Sequence, residues 1–303
     1  MLSLFALNPV AWLTDPFAQS LTMQRALFAG LLAGVACGLV GTWVVLRGMT
    51  FLGDAMAHGV VPGLALATIF GINPALGAAL SAVVMIGGIT LVERRTKLGE
   101  DTAIGLLFVG MLALGVLIVS RSQTFSGDLT GFLFGGITSV TPSDLFVAGG
   151  VAGGVTLVVI IGYRAFLALC FNAESARMFG LRPGLAHFVM LMLVTATIIA
   201  SFKTVGTLLV FALITAPAAA SVQLVRRVPL VLVTSVLLAE VSVVVGLIIS
   251  WHARVAAGAS IALSAVGLFL IVLAGTEVSG ALRARRSNPG GHVDTESAEA
   301  ELA

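Results

Sequence analysis

Long apolar runs separated by short polar joints fill most of this chain. The runs 26–46, 53–71, 74–92, 102–120, 143–163, 185–201, 204–224, 229–250 and 255–274 are each close to the ~20 residues that cross a bilayer's hydrocarbon as a helix. This predicts an all-α, polytopic transmembrane bundle of eight or nine spans. The run 185–201 is the shortest and its ends are the least defined. The first run carries Gly30, Gly34 and Gly38 at steps of four, a small-residue seam that lets a second helix backbone approach closely.

The joints divide the chain further. Residues 1–25 are broken by Pro9, Asp15 and Pro16 and carry Trp12 and Phe17, which suits a helix lying at the membrane interface. They lack the uninterrupted apolar core and small-residue cleavage site of a removable signal. Residues 121–141 are polar and Gly-rich, too short to span, and fit a re-entrant segment packed against protein or water. Residues 164–184 form the longest polar interruption of the permeation domain proper, taken as 26–275. Residues 276–303 are charged and aperiodic and are expected to be a disordered tail. With the loop holding Arg94, Arg95 and Lys97 inside, alternation puts Arg47, the 164–184 loop, Arg226, Arg227 and the basic tail inside too. Arg121, Lys203 and Arg254 fall outside, one per loop. Such a bias sets orientation.

Composition agrees. Of 303 residues 58% are hydrophobic and 10% charged, and the mean hydropathy is +1.11. A soluble domain carries about 25% charged residues. A net charge of +2 gives no basis for nucleic-acid binding. Cys37 and Cys170 are far apart in apolar surroundings and form no CxxC pair, so they read as small buried residues. The chain has no GxxxxGK[ST] phosphate loop, no HExxH and no GxSxG, which removes those routes to ATP binding, zinc proteolysis and serine hydrolysis.

Candidate chemistry is concentrated in Gly53-Asp54-Ala55-Met56-Ala57-His58-Gly59-Val60-Val61-Pro62-Gly63. On a helix Asp54 and His58 share a face one turn apart. A carboxylate and an imidazole so placed can grip one divalent ion, and ionisable groups inside a membrane call for a functional explanation. The simpler alternative is a capping Asp54 and a His58 in an ordinary polar contact. Glu240 lies midway along its span as a gate, a group supporting the pair, or a structural acid bonded to a neighbour. The loop from Phe171 to Gly184 reads as a short amphipathic helix with Asn172 as N-cap, Glu174 in its first turn and Gly180 near its end. It is either a docking element for a cytoplasmic partner or a solvated connector.

These runs, together with Val45-Leu46-Arg47-Gly48-Met49-Thr50-Phe51-Leu52, Glu100-Asp101-Thr102-Ala103-Ile104-Gly105, Phe132-Leu133-Phe134-Gly135 and Thr204-Val205-Gly206-Thr207-Leu208-Leu209-Val210-Phe211-Ala212-Leu213-Ile214-Thr215-Ala216-Pro217-Ala218, give the chain a resemblance. It resembles the membrane permease subunit of ABC importers for zinc, manganese or iron, the metal-uptake family related to the vitamin B12 and siderophore permeases. The resemblance implies a type II importer bundle in the cytoplasmic membrane, working as a homodimer. Two cytoplasmic ABC ATPase subunits and an extracytoplasmic metal-binding protein would be its partners. It implies that Asp54 and His58 line the path and ligate the ion, Zn²⁺ or Mn²⁺ ahead of Fe²⁺. It also implies that the 164–184 loop, with Asn172, Glu174, Arg177 and Gly180, couples to the ATPase. Asn172 departs from the Asp common there. The chain would bind no cofactor and hydrolyse nothing itself. Two rivals remain at this point: an ion-driven secondary transporter, for which the sequence lacks matching halves, and an intramembrane metalloenzyme.

Overall fold

A computed structural model describes residues 15–18, 20–96, 99–121, 140–171 and 183–287. Among them are α1 (Leu21–Leu46), α2 (Leu52–Gly59), α3 (Val61–Ile69), α4 (Pro74–Arg95), α5 (Glu100–Arg121), α6 (Pro142–Phe171), α7 (Pro183–Val205), α8 (Thr207–Leu224), α9 (Val228–Ala253) and α10 (Ala257–Ser287). The described residues contain no strand, as the all-α expectation requires. Among the described residues eight helical stretches are long and apolar enough to cross a membrane, α2 and α3 counting as one. The ninth predicted span is α8, whose apolar run Leu209–Leu224 is shorter.

Local chemistry explains where the helices begin. Ser20 caps α1, its side chain accepting from the Met23 N–H at 3.3 Å. Asn73 caps α4 through the Ala75 N–H at 2.9 Å. Thr141 and Asp144 form a reciprocal box at the start of α6. Asp144 Oδ2 accepts from the Thr141 N–H at 3.0 Å, and Thr141 Oγ1 accepts from the Asp144 N–H at 3.3 Å. Proline opens α4, α6 and α7, where its missing N–H costs nothing. Gly48 ends α1 at φ +75°, and the Met49 N–H returns to the Val44 carbonyl, a Schellman closure that favours glycine.

α1 is the central element, with α6, α7, α8 and α9 packed around it. Its glycines make this possible. Gly30 lies against Val243, Gly34 against Glu240 and Ala239, Gly38 against the backbone of Ser235 and Val236, and Gly41 against the backbone of Ile214. The seam thus runs along α9 and then turns onto α8. Ser235 Oγ donates to the Gly38 carbonyl across the crossing at 3.0 Å, and Thr42 Oγ1 donates to the same oxygen at 2.9 Å. On another side of α1, Trp43 meets Tyr163 and Phe166 at ring separations of 5.7 and 5.6 Å. α3, α4 and α5 form a second group, and α2 touches α4 and α5 in that group and α7 and α8 in the first.

Three boundaries differ from expectation. α1 begins at Leu21 rather than 26, because the Ser20 cap starts it earlier. α6 continues through Arg164 to Phe171. The residues after Arg164 are again apolar, and Phe166 is buried, so only the arginine head needs water. α10 runs to Ser287, past the 275 boundary set for the domain. Extending an existing helix through Ala, Leu and Arg costs little once it is nucleated. Most of the re-entrant segment at 121–141, the coupling positions Asn172, Glu174, Arg177 and Gly180, residues 1–14 and residues 288–303 lie outside the described residues.

Candidate functional site

The second span is two helices rather than one. Pro62 has no N–H to return to the His58 carbonyl, so the ladder stops there. α2 ends at Gly59, and α3 restarts at Val61 with Pro62 in its first turn. The break is held from outside. Ser81 Oγ on α4 donates to the Gly59 carbonyl at 2.7 Å, Gly59 sits against Met85, and Gly63 and Gly77 bring the backbones of α3 and α4 together. A side chain at either of the last two positions would meet backbone. Interrupted helices at membrane depth survive where protein or water satisfies them, and they often flank ion sites.

α2 is amphipathic where the long helices are not. Leu52, Ala55, Met56 and Ala57 are buried in the core, and Gly53 rests against Phe211 and Ile214 of α8. Asp54 and His58 occupy the other face and keep 29% and 25% of their side-chain surface exposed. They are therefore held by the helix yet reachable. His58 Nε2 lies 3.6 Å from Asp54 Oδ1, too long for a hydrogen bond. Two ligands with bonds of 2.0–2.2 Å to one tetrahedral ion stand roughly 3.4 Å apart, so the spacing matches two ligands of one shell. His58 is in the last turn of α2, where the helix's carbonyl end favours a cation. Phe108 of α5 stacks edge-on against His58 at 5.8 Å and against Phe51 at 5.3 Å, fixing the imidazole plane. Phe108 escaped the sequence reading because nothing local marks a contact spanning fifty residues.

Among the described residues no cluster of three or more Cys, His, Asp or Glu could hold a metal ion. The described residues of one chain thus offer a candidate pair, short of the four or more ligands that a divalent ion takes. Glu240 sits elsewhere. It lies in the α1–α9 interface, its Oε1 buried without a hydrogen-bond partner and directed at Gly34. α9 packs on α1, α8 and α10, and α2 on α3, α4, α5, α7 and α8, so α8 is their shared neighbour. The structure brings Glu240 to the glycine seam and pairs Asp54 with His58. His252, at the far end of α9, is turned to the Ile248 carbonyl.

The ABC 3 transport family matches residues 19–276. This chain belongs to that family. The manganese transport system membrane protein MntC of Halalkalibacterium halodurans is 34% identical over 249 residues, covering 82% of this chain and 85% of that protein. A probable iron transport system membrane protein of Haemophilus influenzae is 32% identical over 267 residues, covering 88% and 98%. Among solved structures, PsaBC from Streptococcus pneumoniae in complex with Fab superposes with a TM-score of 0.77 at 31% identity, covering 87% of this chain and 95% of that one. An inward-facing putative metal-chelate type ABC transporter shares the fold at 16% identity, with a TM-score of 0.68 over 90% and 91% of the two chains. The chain is a multi-pass ABC permease of the cytoplasmic membrane. That assignment displaces the ATPase-free carrier and makes the protein a transporter component.

Proposed function

We propose that the chain is the permease of an importer for a divalent transition-metal ion, Zn²⁺ or Mn²⁺, and that Asp54 and His58 are its ligands in the path. The observation that carries this is the pair itself: 3.6 Å apart, at the break of an interrupted helix and partly exposed. Relatives named for manganese and iron transport support the substrate class. The ion is cargo, and the chain needs no cofactor of its own. A second copy would contribute the other Asp54 and His58. Two carboxylates then balance the ion's charge, which lowers the cost of holding it in a low-dielectric interior. Cytoplasmic ATPase subunits would hydrolyse ATP and engage the loop between α6 and α7, where Asn172, Glu174, Arg177 and Gly180 lie. An extracytoplasmic metal-binding protein would deliver the ion.

Proteoliposomes holding the permease with its ATPase should take up Zn²⁺ or Mn²⁺ only with ATP and only with both subunits present. Uptake driven by an ion gradient without the ATPase, or ATP-dependent transport indifferent to divalent metal, would overturn the proposal.

A further inference from the structure

The start of α1, the end of α9 and the start of α10 enclose an open cavity of about 470 Å³, lined by Ser20, Thr22, Met23, Leu247, Trp251 and Arg254 among others. The charge bias puts all three of these ends on the outer side, so the cavity lies at the depth of lipid headgroups. Its lining divides by chemistry. Met23 and Leu247 form an apolar wall. Ser20, Thr22, Trp251 and Arg254 form a polar mouth. Trp at this depth prefers the boundary between hydrocarbon and headgroup.

The mouth carries one cation, Arg254, beside two helix N-termini and the carbonyl end of α9. Arg254 is exposed, and no ion pair to a carboxylate involves it among the described residues. It is the only non-glycine described residue with positive φ, +54°, a conformation that a Cβ disfavours. That turn ends α9 at Arg254 and is tied down by Ser250 Oγ donating to the Val255 carbonyl at 2.7 Å. The N-terminal ends of α1 and α10 both border the cavity, and neither has an acidic residue in its first turn. Helix N-termini favour anions.

We propose that this cavity binds one anionic glycerophospholipid, its phosphate at Arg254 and the first acyl carbons along Met23 and Leu247. A positive mouth above an apolar wall at headgroup depth fits a lipid better than a soluble anion, which has no use for the wall.

The test uses the full-length permease purified in mild detergent, with phosphatidylglycerol and phosphatidylcholine as probes and native mass spectrometry as readout. The wild type should retain about one phosphatidylglycerol per chain in preference to phosphatidylcholine. Arg254→Glu should lower that retention about fivefold or more, from the loss of one cationic contact near the surface. Arg254→Lys should keep most of it. Ala257→Trp, which obstructs the mouth and leaves the arginine, should also lower it. Size-exclusion profiles in phosphatidylcholine confirm that the variants stay folded. Equal retention by wild type and Arg254→Glu would overturn the proposal. So would equal retention of both lipids, or displacement of the lipid by millimolar inorganic phosphate, the sign of a site for the free anion. If Arg254→Glu transports poorly but keeps its phosphatidylglycerol, the arginine serves a protein partner and the lipid site is wrong.

Discussion

At the scale of single residues, the account turns on Asp54 and His58. Their separation of 3.6 Å leaves the carboxylate and the imidazole poised without being bonded to each other, and Phe108 holds the ring from one side. Asp54→Asn keeps the shape and removes the charge that would balance the ion. His58→Ala removes the proposed nitrogen ligand. Each should cut metal import by about 100-fold or more, since losing even a supporting partner of a ligand costs 10–100-fold. Each should leave insertion and assembly intact, because both side chains are partly exposed and the core face of α2 is untouched. Radiometal uptake alongside size-exclusion profiles checks both halves of this expectation. The pair was legible in the sequence from its spacing alone. The closing of the helix right after it was not read there, although Pro62 is the cause, because the apolar run continues through the proline without a polar signal.

At the scale of elements, the glycine seam of α1 decides the packing. A Cβ on Gly38 would lie 2.9 Å from the Val236 Cα, and backbone cannot move aside cheaply. Gly38→Val should therefore destabilise the α1–α9 crossing by about 1–3 kcal/mol, the usual cost of overpacking. Gly267→Ala on α10, where a Cβ meets nothing within 4 Å, should be neutral or slightly stabilising, since alanine favours helix. Thermal unfolding in detergent separates the two; equal effects would mean the seam is not where the chain is tight. The seam was readable as Gly30, Gly34 and Gly38 at steps of four, but its partners were not. Nothing near Ser235 or Glu240 announces a contact two hundred residues away. The helix start at Pro74 was readable, and those at Pro142 and Pro183 fall one and two residues before the apolar runs; the ends at Phe171 and Ser287 were not readable. Proline sets a beginning by its own geometry, whereas an end depends on what the last turns pack against, as Phe166 does on Trp43.

At the scale of the whole molecule, large apolar side chains such as Phe146, Ile161 and Leu263 point outward. Water would not tolerate that surface, but lipid or a second copy would. The proposed two-ligand site would give a second copy a chemical purpose as well. A two-fold axis passing near the open face of α2 would bring a second carboxylate and a second imidazole to the first pair, completing four ligands from two identical chains. The measurement that tests this most directly is metal import by a tandem-linked dimer in which one copy is wild type and the other carries Asp54→Asn and His58→Ala. A shared site predicts import reduced close to that of the doubly mutated dimer, because half the ligands are gone. Import at half the wild-type rate or better would mean that each copy carries its own path, and the shared site would be wrong.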